Sequence, residues 1–334
     1  MTVLVTGGAG YIGGHTVRQL VDQGEQVVVL DNLSTGQRSQ VPSGALLIAG
    51  DAGDTDLVRR LVKNHKVESI MHFAGSIKVE ESVTNPLKYY RNNVEASRAV
   101  LEAAVAGEVK CFIFSSSAAV YGNPGQVPVP EDAPLAPTSP YGWSKLMTEQ
   151  IIRDTAKATP ALRFVVLRYF NVAGADPQGR IGYPLENQPP HLIKAALAAA
   201  TGRTKGFQVF GTDYPTLDGT AVRDFIHVSD LAEAHVQALH HLRMGRTSAT
   251  LNCGYGKGYS VLEVIGAVQR VSGMDFPLTF GPRRAGDVAS VIADVSRMRT
   301  ILPRWQAKFG SLDIIVEHQL NWEREWSKQK APAA

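Results

Sequence analysis

Thr2-Val3-Leu4-Val5-Thr6-Gly7-Gly8-Ala9-Gly10-Tyr11-Ile12-Gly13 opens the chain. A short β-branched run passes directly into a glycine turn, and an amphipathic pattern from Tyr11 to Gln23 follows. Glycine tolerates positive φ, lets backbone N–H groups approach a ligand, and lets helix and strand pack closely. The stretch therefore reads as strand, turn and helix of a parallel sheet. The same rhythm continues, with strands expected at Val3–Thr6, Gln26–Asp31, Leu46–Ala49, Ser69–His72, Cys111–Ser115 and Phe164–Arg168. Helical patterns at Tyr11–Gln23, Asp56–His65, Pro86–Ala106 and Tyr141–Lys157 separate them. Each is long enough to return the chain to the same sheet edge, so the fold class is α/β, a doubly wound parallel sheet.

Beyond Arg168 the alternation loosens. Gly174 to Pro190 carries Asp-Pro, Gly-Arg-Ile-Gly and Pro-Pro, which is turn chemistry. A helix is expected at His191–Thr201, a strand–helix unit at Arg223–His241, a strand at Thr250–Cys253 and a helix at Ser260–Ser272. A strand at Pro277–Phe280 and helices at Val295–Leu302 and Leu312–Trp326 follow, and a frayed tail is expected from Lys328. No repeat or low-complexity linker marks a sharp boundary. The expected division is residues 1–172 as a nucleotide-binding domain, with a return of the chain around 220–250, and residues 173–330 as a smaller interleaved α/β substrate domain.

Composition narrows the function classes. The 334 residues carry 34 Lys+Arg against 31 Asp+Glu, a formal charge of +3, with 44% hydrophobic residues. No block of five or six like charges occurs, which argues against nucleic acid as a partner. The longest charge-free run, Cys111 to Pro130, contains three serines, two glycines and three prolines and fails as a membrane helix. Thr2–Gly13 is needed by the fold, which argues against a cleaved leader. Cys111 and Cys253 lie far apart in apolar surroundings and read as buried reduced thiols, pointing to a cytoplasmic setting without a metal site.

The glycine turn, followed by a helix and then by a second strand ending in Asp31, has the layout of a dinucleotide site. The helix N-terminus offers partial positive charge to a pyrophosphate, and a carboxylate at Asp31 suits ribose hydroxyls. That carboxylate, followed by Asn32-Leu33 and no cation, repels a 2′-phosphate and favours NAD over NADP. Gly50-Asp51 and Phe73-Ala74-Gly75 also fall at strand ends, where open α/β sheets bind ligands. Asp51 either joins that site or caps the following helix. Ser115-Ser116-Ser117 ends the fifth strand, and Tyr141 and Lys145 sit one turn apart on the same helix face. A free tyrosine is a poor base at neutral pH, with a pKa of about 10. A neighbouring ammonium and a cationic nicotinamide ring are each expected to lower it, while Ser117 shares a hydrogen bond with the substrate oxygen. His72 reads as a strand-end core residue.

These three motifs together resemble the extended short-chain dehydrogenase/reductase superfamily, with its Rossmann-type fold. Within it, His72-Phe73-Ala74-Gly75, Tyr89-Tyr90-Arg91-Asn92-Asn93, Arg168-Tyr169-Phe170-Asn171 and Asp213–Val228 resemble the UDP-glucose (UDP-galactose) 4-epimerase family over about residues 2–325. The resemblance implies reversible C4 epimerisation of UDP-glucose and UDP-galactose through a 4-keto intermediate with tightly bound NAD, in a homodimer. It places Ser117, Tyr141 and Lys145 as catalytic residues. It assigns Gly7, Gly10, Tyr11, Ile12, Gly13, Asp31, Asn32, Asp51, Ala52, Phe73, Ala74, Asn92, Ser115, Tyr141, Lys145 and Phe170 to the cofactor. Ser117, Tyr141, Asn171, His191, Leu192, Phe210, Arg223, Arg284, Asp287 and Val291 fall on UDP-sugar positions. The two arginines suit a diphosphate and Asp287 suits ribose hydroxyls.

Three departures from the family pattern stand out. Pro190-His191-Leu192 stands where the family often has Asn-Asn-Leu near the nucleotide, so that contact passes to His191. Ile77 occupies the place of a family lysine, and Lys78 comes one residue later. Val291 stands where a bulky tyrosine excludes N-acetylated sugars, so UDP-N-acetylhexosamines are expected as further substrates. The alternatives are a UDP-pentose 4-epimerase or another nucleotide-sugar enzyme of the superfamily, and more distantly a non-catalytic NAD-sensing protein. A 4,6-dehydratase fits less well, because Ala118-Ala119 follow Ser117 where that chemistry uses an acidic pair.

Overall fold

The computed structural model describes residues 1–183, 191–284 and 287–330. In its first half, β1 (Thr2–Thr6), α1 (Tyr11–Asp22), β2 (Gln26–Asp31), β3 (Ala45–Ala49), α2 (Thr55–Asn64) and β4 (Val67–His72) lead into α3 (Val79–Thr84) and α4 (Pro86–Tyr89). Then come α5 (Ala96–Ala106), β5 (Cys111–Ser117), α6 (Pro140–Ala158) and β6 (Arg163–Tyr169). Every residue of β1 is buried, as a parallel strand covered on both faces requires. Local chemistry sets the helix starts: Asp54 accepts from Leu57 N at α2, and Ser139 accepts from Gly142 N at α6, where Pro140 takes the first position.

The second half holds β7 (Asn171–Ala173), α7 (Leu192–Ala200), β8 (Phe207–Phe210), β9 (Val222–His227), α8 (Val228–Arg243), β10 (Ala249–Cys253) and β11 (Gly258–Ser260). It closes with α9 (Val261–Ser272), β12 (Leu278–Gly281), β13 (Ser290–Val291), α10 (Ser296–Ile301) and α11 (Leu312–Lys330). Seven parallel strands form the main sheet in the order β10-β6-β5-β4-β1-β2-β3. The chain comes back to this sheet late, because α8 packs on α1 and β10 pairs with β6. β9, by contrast, is the hub of a second sheet with β7, β11 and β13, and β8 pairs with β12 in a third. The expected boundary between residues 172 and 173 falls inside β7.

Apolar clusters fill both faces of the main sheet, around Val3, Met71 and Leu239 on one side and Leu4, Phe112 and Val166 on the other. A third lies among α7, α9 and α11. The stretch expected as one helix over Pro86–Ala106 is α4, then a π-helical turn at Tyr90–Glu95, then α5. The wider turn accommodates Asn93, which is buried and hydrogen-bonded to Ser76 and Ser144. The chain stays helical through Lys330 instead of fraying from Lys328, and residues 331–334 lie outside the described residues.

Asp224 ties β9 to its neighbours. Its fully buried carboxylate accepts from Tyr255 N and Gly256 N, both at 2.9 Å, and from Ala293 N at 3.2 Å. Replacing it leaves three backbone donors without an acceptor. Asp224→Ala is expected to cost on the order of 3 kcal/mol in denaturant unfolding, well beyond a surface substitution.

Candidate active site

The glycine turn crosses the end of β4 in close contact. Phe73 N and Ala74 N both donate to the Thr6 carbonyl, at 2.9 and 3.1 Å. Gly7 has φ +72, and a Cβ there would lie 2.6 Å from Ala74 N. A Cβ on Gly13 would lie 2.3 Å from the Gly7 carbonyl oxygen. Gly10 is the N-cap of α1 and has no side chain to satisfy the first-turn N–H groups, while no acidic residue occupies that turn. Those donors are therefore available to an anion. Asp31 braces the turn: Oδ2 accepts from Ala9 N at 2.9 Å and Oδ1 from Leu33 N at 2.8 Å, leaving each oxygen a further lone pair.

Around this cradle, Asn32 is exposed and accepts from Ser34 N. Asp51 accepts from Gly53 N, and Asp54, not Asp51, caps α2. Ala52 is buried beside it, and Ile12 packs against the core. The Tyr11 hydroxyl donates to the Gly174 carbonyl at 2.5 Å, which joins α1 to the loop after β7. Asn92 donates to Ser76 Oγ at 3.0 Å. Glycines that a Cβ would block, an uncapped helix start and a strand-end carboxylate fit an adenine dinucleotide.

The second group gathers where β5 ends. Ser117 Oγ accepts from Ala119 N, and its hydroxyl hydrogen-bonds Tyr141 in the first turn of α6. Lys145 is buried, and its Nζ donates to the Ser115 carbonyl at 2.9 Å, 6.0 Å from the centre of the Tyr141 ring. Ser115 thus reaches Lys145 through its backbone. Burial pulls the Lys145 ammonium down to about 8, with the Glu149 carboxylate opposing. Burial also pushes the Tyr141 phenol up, and the Ser117 hydrogen bond only partly offsets this. The protein alone therefore does not lower the Tyr141 phenol as expected, because burial of the ring outweighs the Ser117 hydrogen bond. His72 is a core residue as expected, bonded to Thr6 Oγ1 through Nδ1 at 2.6 Å and to Ser97 Oγ through Nε2 at 2.8 Å.

The UDP-sugar positions line β9 and its surroundings. Arg223 lies opposite Val291 in the β9–β13 register and faces Asp287 at 3.7 Å. Burial lowers the Arg223 guanidinium from its ordinary range, and Asp287 opposes that. Asp287 N donates to the Arg284 carbonyl, and the Arg284 guanidinium stacks over Phe210 at 4.1 Å. Asn171 is exposed at the start of β7, next to buried Phe170. Val291 is half-buried against the apolar cluster that contains Val120, Val129, Phe170 and Ala293. His191 caps the N-terminus of α7 without a side-chain cap bond and packs edge-on to Tyr183, and Leu192 joins the third apolar cluster. Lys78 is exposed at the start of α3.

Sequence reasoning gave no role to Arg283, which clasps Asp213 and stacks on Tyr214, or to Asn93, quoted only within a motif, which links the π-helical turn to Ser144 of α6. It missed buried Glu149 and gave its partner Arg168 no role beyond its motif, although Glu149 continues the Tyr141–Lys145 spacing by one more turn.

Comparison with known proteins agrees with this geometry. The profile of the NAD dependent epimerase/dehydratase family matches residues 3–254. The chain belongs to that family. It is 52% identical over 322 residues to the UDP-glucose 4-epimerase of Azospirillum brasilense, covering 96% of this chain and 92% of that one. The fold superposes with a TM-score of 0.95 on the UDP-glucose 4-epimerase of Stenotrophomonas maltophila, solved with NAD and a formylated UDP-arabinopyranose, at 40% identity over 98% of this chain and 99% of that one. It superposes with a TM-score of 0.85 on the UDP-Glc/GlcNAc 4-epimerase of Campylobacter jejuni, at 43% identity over 97% and 99%. In this chain the glycine turn at the end of β1 and the Ser117, Tyr141 and Lys145 group at the end of β5 are separated by the single strand β4.

Two outcomes test the site's construction. Gly7→Ala forces a Cβ into the Ala74 backbone at positive φ and is expected to cost about 2 kcal/mol or more, with loss of bound dinucleotide, read by thermal unfolding and cofactor content. The second concerns pH. Burial holds His72 down to about 3, and His15 and His235 to about 4. The unfolded chain takes up these protons near pH 6.5 while the folded chain does not, so stability is full above that pH and falls as the pH drops towards 4. The guanidinium midpoint is expected to be lower at pH 5 than at pH 7, and equal midpoints would contradict this reading.

Proposed function

We propose that this chain interconverts UDP-glucose and UDP-galactose by inverting C4, with NAD as resident cofactor. The observation that carries the reading is the placement of Tyr141 and Lys145, one turn apart on α6, beside Ser117 at the end of β5. The glycine cradle opens at the end of β1, across β4 from β5. Gly7, Gly10, Gly13 and the first turn of α1 would hold the pyrophosphate, and Asp31 the adenosine ribose. NAD held there would supply a reversible hydride acceptor for C4 and, in its oxidised form, a positive charge.

The protein's own part is proton handling and placement. Tyr141 Oη takes the proton of the sugar 4-hydroxyl and later returns one. Ser117 Oγ shares a hydrogen bond with the same oxygen, and the Lys145 ammonium favours the phenolate that burial disfavours. Arg223 and Arg284 would hold the diphosphate, with Asp287 and Asn171 at the nucleoside and sugar, while the 4-keto hexose turns over. Because hydride leaves and returns, no net oxidation occurs. Val291, half-buried opposite Arg223, leaves more room than a tyrosine, which supports UDP-N-acetylhexosamines as further substrates. The likeness to the Campylobacter jejuni UDP-Glc/GlcNAc 4-epimerase accords with that.

A homodimer through α4, α5 and α6 completes the proposal. Val83, Leu87, Trp143 and Met147 are exposed apolar side chains on these elements and α3, with Leu87 at 79% exposure. Cys111 and Cys253 are both buried and unbridged, and among the described residues no helix is long and apolar enough to cross a membrane. The thiols support a reducing, cytoplasmic setting.

Incubation with UDP-glucose, UDP-galactose, their N-acetyl analogues and UDP-xylose, with products identified by chromatography, tests the substrate range. Tyr141→Phe is expected to lower kcat by roughly 100-fold or more while retaining NAD, since a positioned base contributes about that much. Full turnover in that variant would remove Tyr141 as the base. Val291→Tyr is expected to abolish turnover of the N-acetyl sugars and spare UDP-glucose.

A further inference from the structure

Lys145 is buried on the face of α6 that meets β5, where its hydrogen bond goes to a neutral carbonyl. One turn further along the helix, Glu149 is completely buried. Its Oε1 accepts from Ser116 Oγ at 2.6 Å and from Arg168 Nε at 2.9 Å. Its Oε2 accepts from Arg168 Nη2 and Arg153 Nη2, both at 2.7 Å. Arg168 rises from β6 and continues the chain of bonds, with Nη1 donating to the Tyr121 hydroxyl at 2.9 Å, which donates to Asn252 Oδ1 at 2.6 Å. Ser116 immediately precedes Ser117, and Tyr121 ends the short turn that Ser117 caps. The carboxylate therefore touches both segments that carry the reacting groups.

We propose that Glu149 is a positioning residue: locked between Ser116 and Arg168, its carboxylate keeps Lys145 charged and holds α6 in place against the end of β5. The inference rests on the reading that charged Lys145 assists Tyr141. The groups facing Lys145 are Tyr141 and Glu149 on its own helix, the neutral buried His72 from β4, and the Phe114 ring and Ser115 carbonyl from β5. Glu149 is the negative charge among them. Burial draws Lys145 down to about 8 and Glu149 opposes it, while Arg168 holds the Glu149 carboxyl below its ordinary range despite burial. The active form has Lys145 protonated, so kcat falls as the pH rises through its pKa. Without the Glu149 charge that fall begins at lower pH.

The test is the pH profile of the NAD-loaded enzyme with UDP-galactose. Glu149→Gln is expected to move the alkaline limb of kcat to lower pH by about one unit, with KM changed less than about twofold. Ultraviolet difference titration against the matching Tyr141→Phe protein is expected to show the Tyr141 phenol ionising at higher pH in Glu149→Gln than in wild type. Ser116→Ala keeps the charge and is expected to leave the limb in place, and Glu149→Asp to restore it in part. Should Glu149→Gln leave Arg168 too costly to fold, Glu149→Gln/Arg168→Gln is compared with Arg168→Gln, so that the difference in limb between them reports the Glu149 charge alone. An unmoved limb in folded Glu149→Gln, or between those two variants, overturns the proposal. Lys145→Met separates the two levels: wild-type kcat there refutes the underlying role of Lys145. Loss of kcat there with an unmoved limb in Glu149→Gln refutes only the role of Glu149.

Discussion

The backbone of Gly7 passes so near that of Ala74 that a single carbon atom cannot be placed between them, and the rest of the site depends on that closeness. With the turn pressed onto the end of β4, α1 starts directly beyond it with no side chain capping its first-turn N–H groups. The end of β5, carrying Ser115–Ser117, is the next strand end beyond β4 in the same parallel sheet. Cradle and reacting groups are thus neighbours because of strand order, without any long-range device. Asp31 reinforces the arrangement by using one lone pair of each oxygen to hold the turn.

The nucleotide-binding half was readable because its signals are local and repeated. Buried parallel strands give unbroken β-branched runs, and the glycine turn, the Asp31 strand end and the Tyr141/Lys145 spacing each lie within one element or one turn. The strands that escaped notice, β7, β8, β11 and β13, have two to four residues apiece. Their hydrogen-bond partners, β9 and β12, lie far off in sequence, and so few residues carry little alternation. The π-helical turn was hidden for a related reason: its cause is the side chain of Asn93, whose partners Ser76 and Ser144 are distant in sequence.

Site residues divide the same way. Spacing on one helix placed Tyr141 above Lys145, but the balance of charge around them depends on burial, which no spacing shows. Hence the phenol of the protein alone shifts up and not down. Glu149 continues the helix spacing, yet its importance comes from Arg168 and Ser116 on two strands. The family likeness placed Arg223, Arg284 and Asp287. Only the tertiary structure put Asp287 against Arg223 and gave Arg283 a separate task at Asp213.

The late return of α8 and β10 to the main sheet bears on how the molecule can be divided. β10 forms the sheet's outer strand beside β6, and α8 covers α1, so both arrive only after the chain has built β7, α7, β8 and β9. A fragment ending near residue 172 would expose one edge of the sheet and the apolar flank of α1. The cofactor half is accordingly not a severable module that could be moved by itself into another gene. During synthesis it gains its outer strand only after residues 173–248 have been made.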